Sequence, residues 1–316
     1  MVIISILVLL ISLAIIVMFS NYFVDEASNL AMQLKLPKML IALTIAAFGT
    51  CAPELAISFN SIINNNTDMM LANVVGSSIV NILLIIGIAA IVKPIKVKDI
   101  TVKKELPLLL IITTAFYVLI SDSLFNFKNI NGLTRADAIM LLCWFIIFIL
   151  YILRIVRKNK KEVETYETHS ILKSIIMIII SIFVIVISSD LIVESSTILA
   201  EMMGISEKII AMTVIVIGTS LPELIMTVSA AKKGEFDIAI GNIIGTNIFN
   251  MCIVLGLPIA IYGGIKSSAF SLIDTTIVFL SALIFFIFGR SDKELTRREG
   301  ICMLIIFMVY YAYILI

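Results

Sequence analysis

Apolar residues gather into ten long stretches along the chain, separated by charged or Asn-, Gly- and Pro-rich joints. They lie near 2–20, 38–63, 69–92, 105–121, 134–153, 170–189, 207–231, 236–262, 270–289 and 299–316. A helix needs about 20 apolar residues to cross a bilayer, and barrel strands would show short alternating segments instead. The pattern therefore predicts an all-α polytopic membrane protein with ten transmembrane helices. The first stretch begins at Val2 without a basic leader or a small-residue cleavage site, so it reads as a retained span. The most polar joint, RKNKKEVETYETHS at 157–170, falls at mid-chain. It divides the chain into a five-helix unit at 1–156, a linker at 157–169 and a second five-helix unit at 170–316.

Composition agrees with a membrane location. The 316 residues are 61% hydrophobic and 14% charged, and the mean hydropathy is +1.15. A formal net charge of +1 points to no nucleic-acid partner. The four cysteines form no CxxC pair, and the single His169 sits in a joint, so neither a disulfide framework nor a zinc site is expected. With no HExxH and no GxSxG, the chain does not read as an enzyme, although a carboxylate-based hydrolase stays formally open.

The distribution of charge sets the sides. If the N-terminus is outside, 19 of the 23 Lys and Arg fall in cytoplasmic joints, and only Lys128, Arg135, Lys208 and Lys266 lie outside. This asymmetry predicts a multi-pass protein of the cell membrane with both termini outside and the 157–169 linker in the cytoplasm. One missed helix would swap the sides of everything after it.

The sequence matches itself at an offset of 169 residues. Gly49, Thr50, Pro53, Glu54 and Leu55 of GTCAPEL return as Gly218, Thr219, Pro222, Glu223 and Leu224 of GTSLPEL. Asp68, Asn73, Gly76, Asn81 and Gly87 return as Asp237, Asn242, Gly245, Asn250 and Gly256. Each unit holds five spans, an odd number, so the second enters the membrane from the opposite side. Inverted repeats with helices interrupted at corresponding places, here 2 and 7, are a signature of secondary transporters. Duplicated bundles sharing packing glycines would explain neither glutamate.

Pro53 removes the amide that the Gly49 carbonyl would use, and Pro222 does the same to Gly218. Broken backbone at membrane depth is tolerated only inside protein or around a cavity. The carbonyls of Thr50 and Thr219 are thus candidates to face an ion. Glu54 and Glu223 follow at once, and each charge at the bilayer centre costs about 2.5–3.5 kcal/mol on insertion scales. A cation between them, or protons on them, removes that cost. Ser77 and Asn81 share one helix face, as do Thr246 and Asn250. Carboxylates, amides, hydroxyls and carbonyls without His suit a hard cation, Ca²⁺ or Na⁺. Asn73 and Asn242 fit either that site or interhelical hydrogen bonding.

GTCAPEL with ANVVGSSIVNILLIIG, and GTSLPEL with GNIIGTNIFNMCIVLG, resemble the paired repeats of the calcium/cation antiporter superfamily, prokaryotic sodium/calcium exchangers in particular. The resemblance covers nearly the whole chain. It implies a ten-helix antiporter in which Na⁺ entry drives Ca²⁺ out by alternating access, with the first and sixth spans sliding past the core. It places calcium at Glu54, Glu223 and the carbonyls of Thr50 and Thr219. Sodium would lie at Ala47, Cys51 and Ser77 on one side, and at Val216, Ser220 and Thr246 on the other. It implies no cofactor beyond the transported ions, a lipid bilayer as surroundings and a monomer. Two positions depart from the pattern: Cys51 replaces the usual Ser, and Asn stands at both 81 and 250 where some members carry an Asp, which argues against potassium co-transport. The alternative is an H⁺/Ca²⁺ antiporter using the same two glutamates. A cation channel or a membrane scaffold is the reading from a third class.

Overall fold

The computed structural model describes residues 2–33, 51–121, 124, 131–158, 170–267 and 270–315. Among these, seven helices are long and apolar enough to cross a membrane, and an eighth span is a pair bent by 46° between Lys208–Thr219 and Leu221–Lys233. The predicted fourth span is shorter. It is α5 (Leu106–Ile120), preceded by a π turn at Thr101–Glu105. Of the predicted second span, only α2 (Ala52–Ile63) lies within the described residues. The linker beyond Lys158 lies outside them.

Two helices run well past their predicted ends. α1 (Val2–Gln33) and α7 (Ile171–Met203) have 32 and 33 residues. At 1.5 Å per residue each is roughly 50 Å long, against a hydrocarbon core of about 30 Å. The sequence reading stopped them at the first polar residues, Asn21 and Asp190. The structure continues because the two helices pack along each other and satisfy one another's polar groups. Asn29 Nδ2 donates to Ser174 Oγ at 3.1 Å, and Ser174 Oγ donates to Glu26 Oε2 at 2.7 Å. Ser5 and Ser12 on α1, with Ser174, Ser181, Ser188 and Ser195 on α7, recur every seven residues and are buried. Small side chains at that spacing let the backbones approach closely. Gly204, at φ 66°, ends α7 in the left-handed conformation that a residue with a Cβ resists.

The centre of the molecule is made by two helical stretches, Thr67–Val92 and Phe236–Tyr262, most of whose residues are buried. The first comprises α3 (Thr67–Ile79), a π turn at Val80–Ile86 and α4 (Gly87–Val92). The second comprises α11 (Phe236–Phe249), a π turn at Asn250–Val254 and α12 (Gly256–Tyr262). α6 (Arg135–Lys158), α13 (Leu272–Arg290) and α14 (Arg297–Leu315) surround them.

Two short antiparallel strand pairs tie the joints together. β1 (Ile95–Lys96) pairs with β4 (Glu294–Leu295), and β2 (Asn131–Leu133) pairs with β3 (Ile265–Ser267). Beside the first pair, Val97 N donates to Lys293 O at 2.7 Å, and Lys293 Nζ meets Asp99 at 2.6 Å. That ammonium holds the Asp99 carboxyl below its ordinary range. In the second pair a Cβ at Gly132 would lie 2.5 Å from Ile265 O, so only glycine allows this approach.

Candidate cation site

The two proline motifs fold alike. Cys51, at φ −86° and ψ 1°, precedes α2 with Pro53 in its first turn. α8 (Glu207–Ile210) runs through a π turn at Ala211–Ile215 into α9 (Val216–Thr219), which Ser220, at φ −84° and ψ 2°, separates from α10 (Leu221–Lys233), with Pro222 in the first turn. Proline is tolerated there because a first-turn amide has no intrahelical acceptor. The resumed helix then puts Glu54 and Glu223 at its positive end, where a carboxylate is favoured.

Residues from the two halves meet. The Cys51 thiol donates to Thr246 O with a 4.0 Å sulfur–oxygen separation. The Glu54 carboxyl lies within hydrogen-bonding reach of the Thr219 side chain. A Cβ on Gly76 would come 2.8 Å from Val216 Cγ2, so α3 rests directly against α9, one residue before Ser77. α2 touches the π turn that begins at Asn250, and α10 touches the π turn at Val80–Ile86 that contains Asn81.

Burial is nearly complete: Cys51, Glu54, Ser77, Asn81, Thr219, Ser220, Glu223, Thr246 and Asn250 are each at most 2% exposed. Seven polar atoms among them have no protein hydrogen-bond partner. They are Glu54 Oε2, Ser77 Oγ, Asn81 Oδ1, Ser220 Oγ, Thr246 Oγ1 and both amide atoms of Asn250. Each orphaned polar atom costs about 1–3 kcal/mol when buried, so such a concentration calls for a ligand. Six of the seven are oxygens, the donor type that replaces the water shell of a hard cation. Among the described residues no three His, Cys, Asp or Glu gather to hold a metal, so hydroxyl, amide and backbone oxygens must supply much of any shell. Val216 is fully buried. Thr50 and Ala47 lie outside the described residues.

The amide nitrogens of Asn73 and Asn242 are drawn into interhelical hydrogen bonds, while the Oδ1 of each is buried without a hydrogen-bond partner. Asn73 Nδ2 donates to Glu54 O at 3.0 Å and to Ser58 Oγ at 3.3 Å. Asn242 Nδ2 donates to Thr227 Oγ1 at 3.2 Å, the same contact one repeat later. Asp68 and Asp237, also repeat partners, part company. Asp68 lines a polar cavity of about 680 Å³ with Asn64, Asn66, Asp190, Glu194 and Glu201. Asp237 pairs with Lys98 at 2.5 Å.

Sequence reasoning missed three features near the site. One is the pair of π turns, a local widening common at functional positions. Another is Ser78 with its repeat partner Asn247, both fully buried with Ser78 Oγ and Asn247 Oδ1 unpartnered. The 169-residue offset pairs these two, and that signal could have found them. The last is the anchoring of the helix that precedes the second break. Lys208 Nζ meets Asp274 Oδ2 at 2.5 Å, Tyr310 Oη donates to Asp274 Oδ1 at 2.8 Å, and Tyr311 Oη donates to Met212 O at 2.7 Å.

The family described as "Sodium/calcium exchanger protein" matches residues 4–154 and 173–316. The sodium/calcium exchanger MaX1 of Methanosarcina acetivorans is 32% identical, across 100% of this chain and 99% of its own. The inner membrane protein YrbG of Escherichia coli is 31% identical, across 96% of this chain and 94% of its own. The solved structure of the sodium-calcium exchanger NCX_Mj soaked with Na⁺ and Sr²⁺ superposes with a TM-score of 0.69 at 26% identity. The match covers 99% of both chains.

Proposed function

The chain belongs to the sodium/calcium exchanger protein family, and from that premise we propose that it exchanges Na⁺ for Ca²⁺ across the cell membrane by alternating access. The observation that carries the reading is the set of orphaned buried oxygens around Glu54, drawn from helices of both halves. In this reading Ca²⁺ sits between Glu54 and Glu223 with the carbonyls of Thr50 and Thr219, and Asn81 and Asn250 close the shell. Na⁺ is held by Ala47, Cys51 and Ser77 on one flank and by Val216, Ser220 and Thr246 on the other. Two carboxylates are neutralised by one Ca²⁺ or by two Na⁺, so either cargo relieves the cost of burying them.

Ten spans as two inverted five-helix units fit the strand pairs. β1–β4 joins the connection after the third span to that after the ninth, and β2–β3 joins those after the fourth and eighth. Each pair needs an even number of spans between its connections, and ten spans provide it. The charge asymmetry puts both termini outside, and the protein acts as a monomer. α1 and α7, held to one another, form the unit that slides past the core.

The test is flux in proteoliposomes. An imposed Na⁺ gradient drives radiolabelled Ca²⁺ uptake with the pH gradient collapsed. Uptake that follows the pH gradient instead would replace Na⁺ by H⁺ as the coupling ion.

A further inference from the structure

A groove of about 500 Å³ runs between α1 and the bent span. α1 presents Leu10, Ala14 and Val17 to it, and the span presents Val214, Ile217 and Leu221. On each side these positions lie three or four residues apart, so each forms one stripe of its helix. At the floor Leu13 lies over Gly218, where a Cβ would come 3.1 Å from Leu13 Cδ2. Ile217 and Leu221 are exposed, whereas Thr219 and Ser220 between them are buried. The groove is therefore on the side of the break away from the cation site. Its one hydroxyl, Thr213 Oγ1, already donates to Ile209 O at 2.6 Å. Among the described residues the wall offers an occupant no charge and no orphaned polar group.

We propose that this groove binds one acyl tail of a bilayer phospholipid, which packs between α1 and the bent span. Depth is the first reason. Gly218 stands ten residues after Lys208, roughly 15 Å along a helix and thus about half of a 30 Å hydrocarbon core. Only tails are available there. The groove is also continuous with the surface that meets lipid, since Leu10, Val214, Ile217 and Leu221 are all exposed. Its volume is within the range of small-ligand pockets. Left empty, it would forfeit dispersion contacts on both walls, and in a membrane such packing is much of what holds helices together. The internal repeat shows what is missing. At the 169-residue offset Ser5 and Ser12 match Ser174 and Ser181, so the register extends into α1, and there Ala14 is matched by Phe183. The second copy carries a ring where the first has a methyl, and the tail takes that space. With no cation or free donor in the wall, the groove recognises a tail and not a headgroup. That favours phospholipid, the bulk source of tails, over a free fatty acid held by its carboxylate.

The probe is phosphatidylcholine with a diazirine on one tail, mixed into phosphatidylcholine vesicles holding the full-length chain. After photolysis, label should appear on peptides covering 10–17 and 214–221 and saturate at one tail per chain. Ala14→Phe should cut that label at least about fivefold while sparing label elsewhere, because the ring fills the groove. Ala14→Leu, a milder filling, should cut it by an intermediate amount, and Ile3→Phe, on the exposed face of α1 outside the groove, should leave it unchanged. In detergent, phosphatidylcholine added back to delipidated protein should raise the unfolding temperature of wild type more than that of either Ala14 variant. Groove label that persists at full strength in both Ala14 variants overturns the proposal. So does label that only a diazirine-bearing free fatty acid delivers, or an equal lipid-induced rise in wild type and variants.

Discussion

Asn73→Ala separates a residue that positions the site from one that binds the ion. Asn73 is fully buried, and its amide nitrogen ties α3 to α2 through Glu54 O at 3.0 Å and Ser58 Oγ at 3.3 Å. Interhelical hydrogen bonds in membranes average about 0.6 kcal/mol each and reach about 1.7. Losing two, with a buried carbonyl and hydroxyl deprived of a donor, should cost about 1–3 kcal/mol. Asn242→Ala removes one such bond, to Thr227, and should cost about half as much. Reversible unfolding of the purified variants in detergent measures both losses. Because the bond holds the backbone of Glu54 and not its carboxylate, the half-saturating Ca²⁺ concentration should move by less than about fivefold in either variant. A tenfold or larger loss of Ca²⁺ affinity with unchanged stability would make Asn73 a ligand and refute the reasoning. So would a larger stability loss in Asn242→Ala than in Asn73→Ala.

Glu54→Gln and Glu223→Gln should each abolish Ca²⁺ exchange while the protein still inserts and folds, because each removes charge from a site where both carboxylates are buried. Near-normal flux in either purified variant would count decisively against the site. Cys51→Ser should raise the apparent Na⁺ affinity of exchange and Ser220→Cys should lower it, since a hydroxyl replaces a water of Na⁺ better than a thiol does. If only Ser220→Cys shifts the Na⁺ curve, Cys51 does not hold Na⁺. Lys208→Met should destabilise the fold by about 3 kcal/mol, the low end for stranding a buried charge, because Tyr310 and Ser271 still donate to Asp274. Thermal unfolding measures it, and a neutral outcome would show that the ion pair does not anchor the bent helix.

The doubled proline–glutamate motif was legible in the sequence because its chemistry is local. A proline next to a carboxylate inside an apolar run breaks a helix wherever it stands, and Cys51 and Ser220 do adopt the same turn. Helical spacing picked out Ser77 with Asn81 and Thr246 with Asn250, and the structure buries all four. What the sequence hid depends on partners far away in the chain. The ends of α1 and α7 were placed too early because Glu26, Asn29 and Ser174 read as polar until each is seen to satisfy another. Asn73 read equally as ligand and interhelical donor; only the structure brings Glu54 O and Ser58 Oγ, from a helix 15 to 19 residues earlier, to its nitrogen, and its Oδ1 is buried without a partner. The π turns beside Asn81 and Asn250 leave no trace in hydropathy, since one extra residue per turn does not alter an apolar run.

The most direct measurement of the central claim is Ca²⁺ uptake into proteoliposomes driven by an outward Na⁺ gradient, with Na⁺ loaded inside, none outside, and the pH gradient collapsed by an ionophore. The account predicts uptake of radiolabelled Ca²⁺ that stops when internal Na⁺ is replaced by choline and is absent from Glu54→Gln and Glu223→Gln vesicles. Uptake that persists without Na⁺, or that the two glutamine variants retain, would contradict it.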